Sequence, residues 1–158
     1  MCHRIFLNDH NGDVNAFHAA CYAEYLSFWE CDPAFQGKRL VRHGGIAEHG
    51  WEKTFWSIVE GHDDQRYFDF LERYEKVPCL RYLIDGVASG NADVHWFRKR
   101  KDGKIRTEIF SEVHRYLIVL QEKTAGYAFI TAHPISSRQL EQKLADCTQA
   151  RRNPDFIL

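Results

Sequence analysis

The chain has 158 residues, 44% of them apolar and 14% aromatic, enough to bury one sizeable core and a better fit to one domain than to two. With 21 Lys and Arg against 22 Asp and Glu its formal charge is -1, so no global basic excess draws it to nucleic acid or acidic lipid, and any anion binding has to come from a local patch. No apolar stretch reaches the ~18 residues of a membrane span, and MCHRIFLNDHNGD lacks the basic and apolar regions of a secretion signal, so the expectation is a cytoplasmic protein with no membrane partner.

After the turn-like NDHNGD, residues 13–30 place Phe17, Cys21, Leu26 and Phe28 or Trp29 at helical spacing behind Asp13, which can cap the first turn. Pro33 stops that helix, and the glycine-rich CDPAFQGKRLVRHGGIAEHG reads as loop with at most a short strand around Arg39 to Val41. WEKTFWSIVE opens a short helix with Phe55, Ile58 and Val59 inward, ended by Gly61. Asp63 or Asp64 caps the next, QRYFDFLERYEK, and Pro78 starts a third, PCLRYLIDG, ended by Gly86.

From residue 92 the hydrophobic period changes from about 3.6 to about 2 and branched or aromatic residues dominate. ADVHWFRKR and GKIRTEIF flank Asp102-Gly103, a favoured two-residue hairpin turn; HRYLIVLQEK and GYAFITAHPI form the next pair. Ser136 or Ser137 then caps SRQLEQKLADCTQARR, whose Leu140 and Leu144 give a narrow apolar stripe. The expected fold class is α+β: N-terminal helices, an antiparallel meander of about four strands, and a closing helix.

Strict alternation along GYAFITAHPI puts Tyr127, Phe129, Thr131 and His133 on one face and Ala128, Ile130 and Ala132 on the other. The second face suits a packed helix, which leaves the first open, with Thr131 and His133 presented to a ligand. The alternative is that Thr131 only pairs across the sheet and His133 caps a turn.

Two constellations can carry chemistry. FRKRKDGKIR gathers Arg98, Lys99, Arg100, Lys101, Lys104 and Arg106 beside Trp96 and Phe97, a pattern that holds phosphates and stacks bases, or that simply keeps an edge strand solvated. HGGIAEHGWEK brings His43, Glu48, His49 and Lys53 into a glycine-rich loop before a helix N-terminus, where an acid/base set beside a bound anion is plausible. His43 and His49 with His62 or Asp63 would be a metal alternative, but the spacing matches no zinc signature, and no cofactor fingerprint is present, so no metal or cofactor is expected. The five cysteines, Cys2, Cys21, Cys31, Cys79 and Cys147, are odd in number, scattered and never in a CxxC pair, which reads as reduced thiols and not as a disulfide framework.

Three segments together resemble phage- and plasmid-borne nucleases of the barnase/EndoU/colicin/RelE-like class. HGWEKTFWSIVEG is similar to their G-R-E-x-T-F-W-H-I segment, ERYEKVPCLRYLID to R-x-E-R-I-P-W-I-R-P-I-I, and HRYLIVLQEKTAGYAFITAHPI to Y-L-x-V-L-x-E-R-x-x-Y-Y-L-L-V-T-A-Y, in the family's order over about residues 49–150. The resemblance implies a curved antiparallel sheet of barnase/RelE type and a metal-independent endoribonuclease acting through 2′-hydroxyl attack to a cyclic phosphate. RNA, with tRNA one candidate, is then the substrate and an antitoxin or immunity protein the kind of protein partner. Residues 1–48 would form an N-terminal helix and Gly/His-rich loop of the same domain.

Carried over by motif position, Arg73 and Arg81 fall on the arginines of the second segment and Thr131 on the threonine of the third. His49 beside the first segment and His133 are catalytic candidates on their chemistry, with Lys53, Trp56, Tyr127 and the run Arg98, Lys99, Arg100 and Lys101 as substrate contacts. The chain departs from the pattern at Ser57, where the family has His, at Trp51 for Arg and at Cys79 for Trp. A catalytically silent RNA- or protein-binding module on the same fold is therefore the alternative, and an unrelated enzyme using the His-rich loop a third reading.

Overall fold

The structure is a computed structural model and describes residues 1–60, 67–153 and 157, without the side chains of 67–70. The expected stop at Gly61, the caps at Asp63 or Asp64, and His62 lie outside the described residues. Helix α1 spans Val14–Glu30, and the Asp13 carboxylate accepts the N–H groups of Asn15 and Ala16 at 3.0 and 3.1 Å, so the cap forms as expected. Its buried stripe is Phe17, Cys21, Tyr25 and Phe28.

The glycine-rich segment holds more order than expected. Strands β1, Ala34–Phe35, and β2, Lys38–Val41, form a hairpin around Gln36 and Gly37, both at positive φ (49° and 73°), the geometry a tight two-residue turn requires. Helices α2 (Lys53–Val59) and α3 (Tyr67–Glu75) follow. Helix α4, Cys79–Ser89, starts after Pro78 but runs through Gly86 to stop at Gly90, φ 68°. Gly86 is there for packing and not for termination: a Cβ on it would stand 2.5 Å from Val94 Cγ2, so only glycine lets the helix lie this close to the next strand.

Strands β3 (Val94–Lys101), β4 (Lys104–Ser111), β5 (Tyr116–Lys123) and β6 (Gly126–Pro134) form the expected meander, and α5 (Ser137–Arg152) closes the chain behind the Ser136 cap. The sheet is larger than the expected four antiparallel strands, and mixed: its order is β1-β2-β6-β5-β4-β3, with β2 parallel to β6. The added edge depends on Gly126, φ 151°, where a Cβ would sit 2.5 Å from the Arg39 carbonyl oxygen of β2. The sheet curls until Phe35 of β1 meets the Trp96 ring of β3 edge-on at 5.3 Å, giving a half-barrel.

One face carries Ile109, Tyr116, Ile118, Leu120, Tyr127, Phe129 and Ala132 and packs on α1–α4; the other carries Phe97, Phe110, Leu117 and Val119 and packs on α5 through Leu140, Leu144 and Cys147. The expected grouping of Tyr127, Phe129, Thr131 and His133 on one face does not hold. Leu120 pairs with Phe129 but Val119 pairs with Thr131, so Ile130 is an extra residue that inverts the alternation. Thr131 and His133 thereby join Val119 and Leu117 on the α5 side, and Ala132 takes a core position instead.

The cysteines also depart from expectation: Cys2 and Cys79 form a disulfide, while Cys21 and Cys147 are buried thiols and Cys31 is exposed. Spacing along the chain could not show this, because the contact is made by folding; the Ile5 N–H donates to the Glu75 carbonyl and lays the N-terminal segment along the end of α3. Among the described residues no helix is long and apolar enough to cross a membrane.

The Gly126→Ala variant should lose about 2 kcal/mol, read by urea unfolding, because the added methyl must push β2 away from β6. An unchanged midpoint would show that β2 contributes little to the sheet.

Candidate functional site

Strand β2 pairs with β6 at Tyr127 and Ala128, so among the described residues no strand flanks 130–134 on that side, and α2 packs on β6 and meets it at Thr131. The last-turn carbonyls of a helix have no intrahelical partner and carry the negative end of its dipole. Two such carbonyls of α2 are taken from outside: Thr131 Oγ1 donates to the Ser57 carbonyl at 3.1 Å, and Arg73 Nη1 of α3 donates to the Ile58 carbonyl at 3.1 Å. Ser57 itself turns inward, its hydroxyl donating to the Thr54 carbonyl at 2.7 Å.

His133 stands two residues beyond Thr131. Its Nδ1 lies 2.8 Å from the Pro134 carbonyl, which can only accept, so Nδ1 carries the proton and Nε2 of the neutral ring is the free base. Burial holds the ring below the ordinary imidazole range; the Arg73 guanidinium and the Lys143 ammonium push the same way, against the Pro134 carbonyl and Glu108.

Lys143 comes from α5 and bonds the carboxylate of Glu108, a buried β4 residue that Lys99 of β3 also reaches at 2.7 Å. Burial opposes the Glu108 charge, but the two lysines outweigh it and hold its carboxyl below the usual range. In the cross-strand rows Lys99 is paired with Arg106 and Arg106 with Gln121, while Lys101 faces Lys104 at the hairpin tip. The α5 face is therefore a polar band running from Lys101 and Lys104, past Lys99, Arg106 and Glu108, to His133. Within it Arg106 Nε is buried with no hydrogen-bond partner among the described residues.

The structure thus gathers Arg73, Thr131, His133 and, at one remove, Lys99, and leaves the other sequence candidates elsewhere. Arg81 joins α4 to α1: Nη2 donates to the Ser27 carbonyl at 2.8 Å and to its hydroxyl at 3.2 Å, and Nη1 lies 3.0 Å from Cys31 Sγ. His49 sits in a short turn at φ 56°, its ring 5.7 Å from Trp51 and 6.0 Å from Trp56, with Lys53 exposed close by at the start of α2. Trp56 donates its indole N–H to the Glu48 carbonyl at 3.2 Å.

Tyr127 faces the helical layer, where Phe35 meets it edge-on at 5.1 Å, and burial raises its phenol. Alternation divides the basic run: Arg98 pairs with Glu122 at 2.6 Å on the Tyr127 side, Lys99 turns to the α5 side, and Arg100 and Lys101 are exposed at the tip. No group of three metal ligands that includes His43 or His49 forms among the described residues, and His62 and Asp63 lie outside them. The sequence does not single out Glu108, Lys143 or Gln121, and Arg106 enters only through the basic hairpin run; the one signal for Glu108 is an acid on the strand face that KIRTEIF otherwise gives to Lys104, Arg106 and Phe110.

Comparison with protein-family models, with curated proteins and with solved structures finds no match to this chain.

Removing the Glu108 charge leaves Lys99 and Lys143, both largely buried, without their shared counter-charge, so Glu108→Gln should lower stability at neutral pH by about 3 kcal/mol in urea titrations. The pH dependence has a definite sign. The folded carboxyl is the more acidic one, so the unfolded chain binds its proton first as pH falls; the contribution is complete above the ordinary carboxylate range and disappears as pH drops through the depressed folded value. The wild type should therefore have a steeper acid limb than Glu108→Gln, and equal limbs would assign the acid sensitivity to other groups.

Proposed function

We propose that this chain is a metal-independent endoribonuclease of mobile-element or toxin type, with its site where β6 runs past the end of β2 and meets α2. The observation that carries the reading is convergence. The three segments that resemble the nuclease family each send one residue, Ser57, Arg73 and Thr131, to the same spot, although 74 residues separate Ser57 from Thr131.

In this reading the polar band holds the RNA backbone, with Lys101, Lys104 and Arg106 as phosphate contacts. His133 Nε2 takes the proton from a ribose 2′-hydroxyl, the 2′-oxygen attacks the adjacent phosphorus, and the 5′-oxygen leaves with a proton from solvent, giving a cyclic phosphate. Arg73, with one N–H already on the Ile58 carbonyl, offsets the charge that builds on the phosphorane. Thr131 positions the end of α2 and so the guanidinium. His49, Trp51 and Trp56 form an aromatic group at the other end of that helix, suited to stacking a flanking base.

A silent binding module on the same fold is favoured by one observation: the family's His is Ser57 here, and its hydroxyl is committed to a backbone carbonyl.

Purified protein incubated with tRNA in EDTA separates the two. Cyclic phosphate ends that fall at least about 100-fold in His133→Ala and Arg73→Ala support the enzyme. Intact RNA with a gel shift that Lys101→Ala and Lys104→Ala weaken supports the module, and cleavage lost in EDTA sinks the metal-independent reading. Because His133 stays neutral below the ordinary imidazole range, cleavage should persist at a pH where a free imidazole would be half protonated, and its acid limb should shift when Arg73 is replaced.

A further inference from the structure

Cys79 Sγ is fully buried at the start of α4, and Cys2 is almost so. His114, in the turn between β4 and β5, completes a group in which the two sulfurs and an imidazole nitrogen all lie within 4.8 Å of one another. The ring is oriented before any ligand arrives. Its Nε2 accepts the Cys2 N–H at 3.2 Å, so the lone pair is directed at Cys2 and a metal would take the place of that hydrogen bond. The ring packs edge-on against Tyr82 at 4.7 Å, and the backbone N–H of His114 donates to Ser111 Oγ at 2.9 Å.

Asp93 fixes that surround, accepting the Tyr82 hydroxyl at 2.9 Å, the Ser111 hydroxyl, and the Val113 N–H at 2.8 Å. These bonds hold in place the turn that carries His114 and the Tyr82 ring packed on it; they act on the backbone and neighbours of the imidazole and not on its ring nitrogens. An open cavity of about 370 Å³, lined in part by Cys2, Pro78, Arg81, Tyr82 and Asp85, connects the cysteine to solvent. The nearby cations Arg4 and Lys76 are each engaged with an acid, Glu75 at 3.9 Å and Glu72 at 2.5 Å.

We propose that Cys2, Cys79 and His114 form a redox-gated site for a zinc-like divalent ion: a disulfide in the oxidised chain, and a two-thiolate, one-imidazole metal site in the reduced chain. A dithiol reductant gives two electrons and two protons to the S–S bond and itself becomes a disulfide. The two protein thiols then lose their protons to solvent as the metal binds, and a water fills the fourth tetrahedral position. Either state ties the N-terminal segment to the start of α4 through a change of redox conditions. The site is independent of the nuclease reading, since none of its ligands belongs to the polar band.

The test uses the full chain in a Cys31→Ser background, which removes the exposed thiol. Protein reduced with a phosphine, which takes oxygen from water and leaves its protons on the thiols, is titrated with Co²⁺ and then Zn²⁺. The expected result is one Co²⁺ per chain, a near-ultraviolet sulfur-to-cobalt charge-transfer band with strong tetrahedral visible bands, displacement by Zn²⁺, and two thiols protected from alkylation by Zn²⁺. Oxidised protein should show no band. His114→Ala, which keeps both cysteines, should weaken Co²⁺ binding at least about tenfold, and Cys79→Ser should abolish the charge-transfer band. Absence of the band in the reduced chain, or a band indifferent to His114→Ala, overturns the proposal. Alkylation of the unmutated reduced chain with and without Zn²⁺ reads the same site without any variant, and equal labelling would count against it.

Discussion

A single surplus residue in strand β6 decides where that strand's side chains go. Between Leu120 and Val119 of β5, the strand advances by two residues where the ladder allows one, leaving Ile130 unmatched. On the early side of that bulge Tyr127 and Phe129 fill the helical core; beyond it Ala132 does so, and Thr131 and His133 face α5. Without the bulge His133 would enter a core of aromatic rings, where an imidazole has no polar partner and burial would cost heavily. With it, the ring finds the Pro134 carbonyl and the field of Arg73 and Lys143.

The same strand is only half covered by β2, and the remainder is closed by α2, whose position is fixed from its other end. The Tyr25 hydroxyl of α1 donates to Glu52 at 2.7 Å, and Arg42, just after β2, pairs with the same carboxylate at 3.1 Å while lying over the Trp29 ring at 5.2 Å. Glu52 stands immediately before α2, so α1, the hairpin edge and α2 share one anchor. Burial, reinforced by the hydrogen bond to Glu52, keeps the Tyr25 phenol protonated, and the phenol therefore remains a donor. Because the helix is only a few turns of rigid backbone, locating its start also locates the Ser57 and Ile58 carbonyls that Thr131 and Arg73 grip.

Much of this was legible in the sequence. The Asp13 and Ser136 caps, the Asp102-Gly103 turn, the three short helices and the meander all depend on local chemistry, and local chemistry is what a sequence displays. What escaped depends on approach between distant segments. A bulge is one residue of mismatch that no alternation pattern reveals; the β2–β6 pairing rests on the missing side chain of Gly126; the Cys2–Cys79 bond joins residues 77 apart. The same divide runs through the candidate site. Arg73, Thr131 and His133 belong to motifs or stand out in an apolar strand, and Arg106 belongs to the basic run, whereas Lys143 looks like an ordinary surface cation until the fold places it beside Glu108.

Glu108 shows how a chain of nearly zero net charge builds a local field. An isolated lysine on a strand is a solvated, mobile cation that loses side-chain entropy when it meets a ligand. Lys99 and Lys143 have already given up that freedom, because both reach one buried carboxylate. One negative charge thus orders two positive ones, leaving a local excess of one charge at fixed positions, and Arg106 adds a guanidinium whose Nε has no partner among the described residues. At His133 the two charges oppose each other, Lys143 disfavouring and Glu108 favouring a proton on the ring, so the field of the band does not fall on the imidazole unopposed. The arrangement therefore meets two demands that ordinarily conflict: cations dense enough to hold an anion, and an imidazole beside them that is neutral and whose Nε2 remains a proton acceptor.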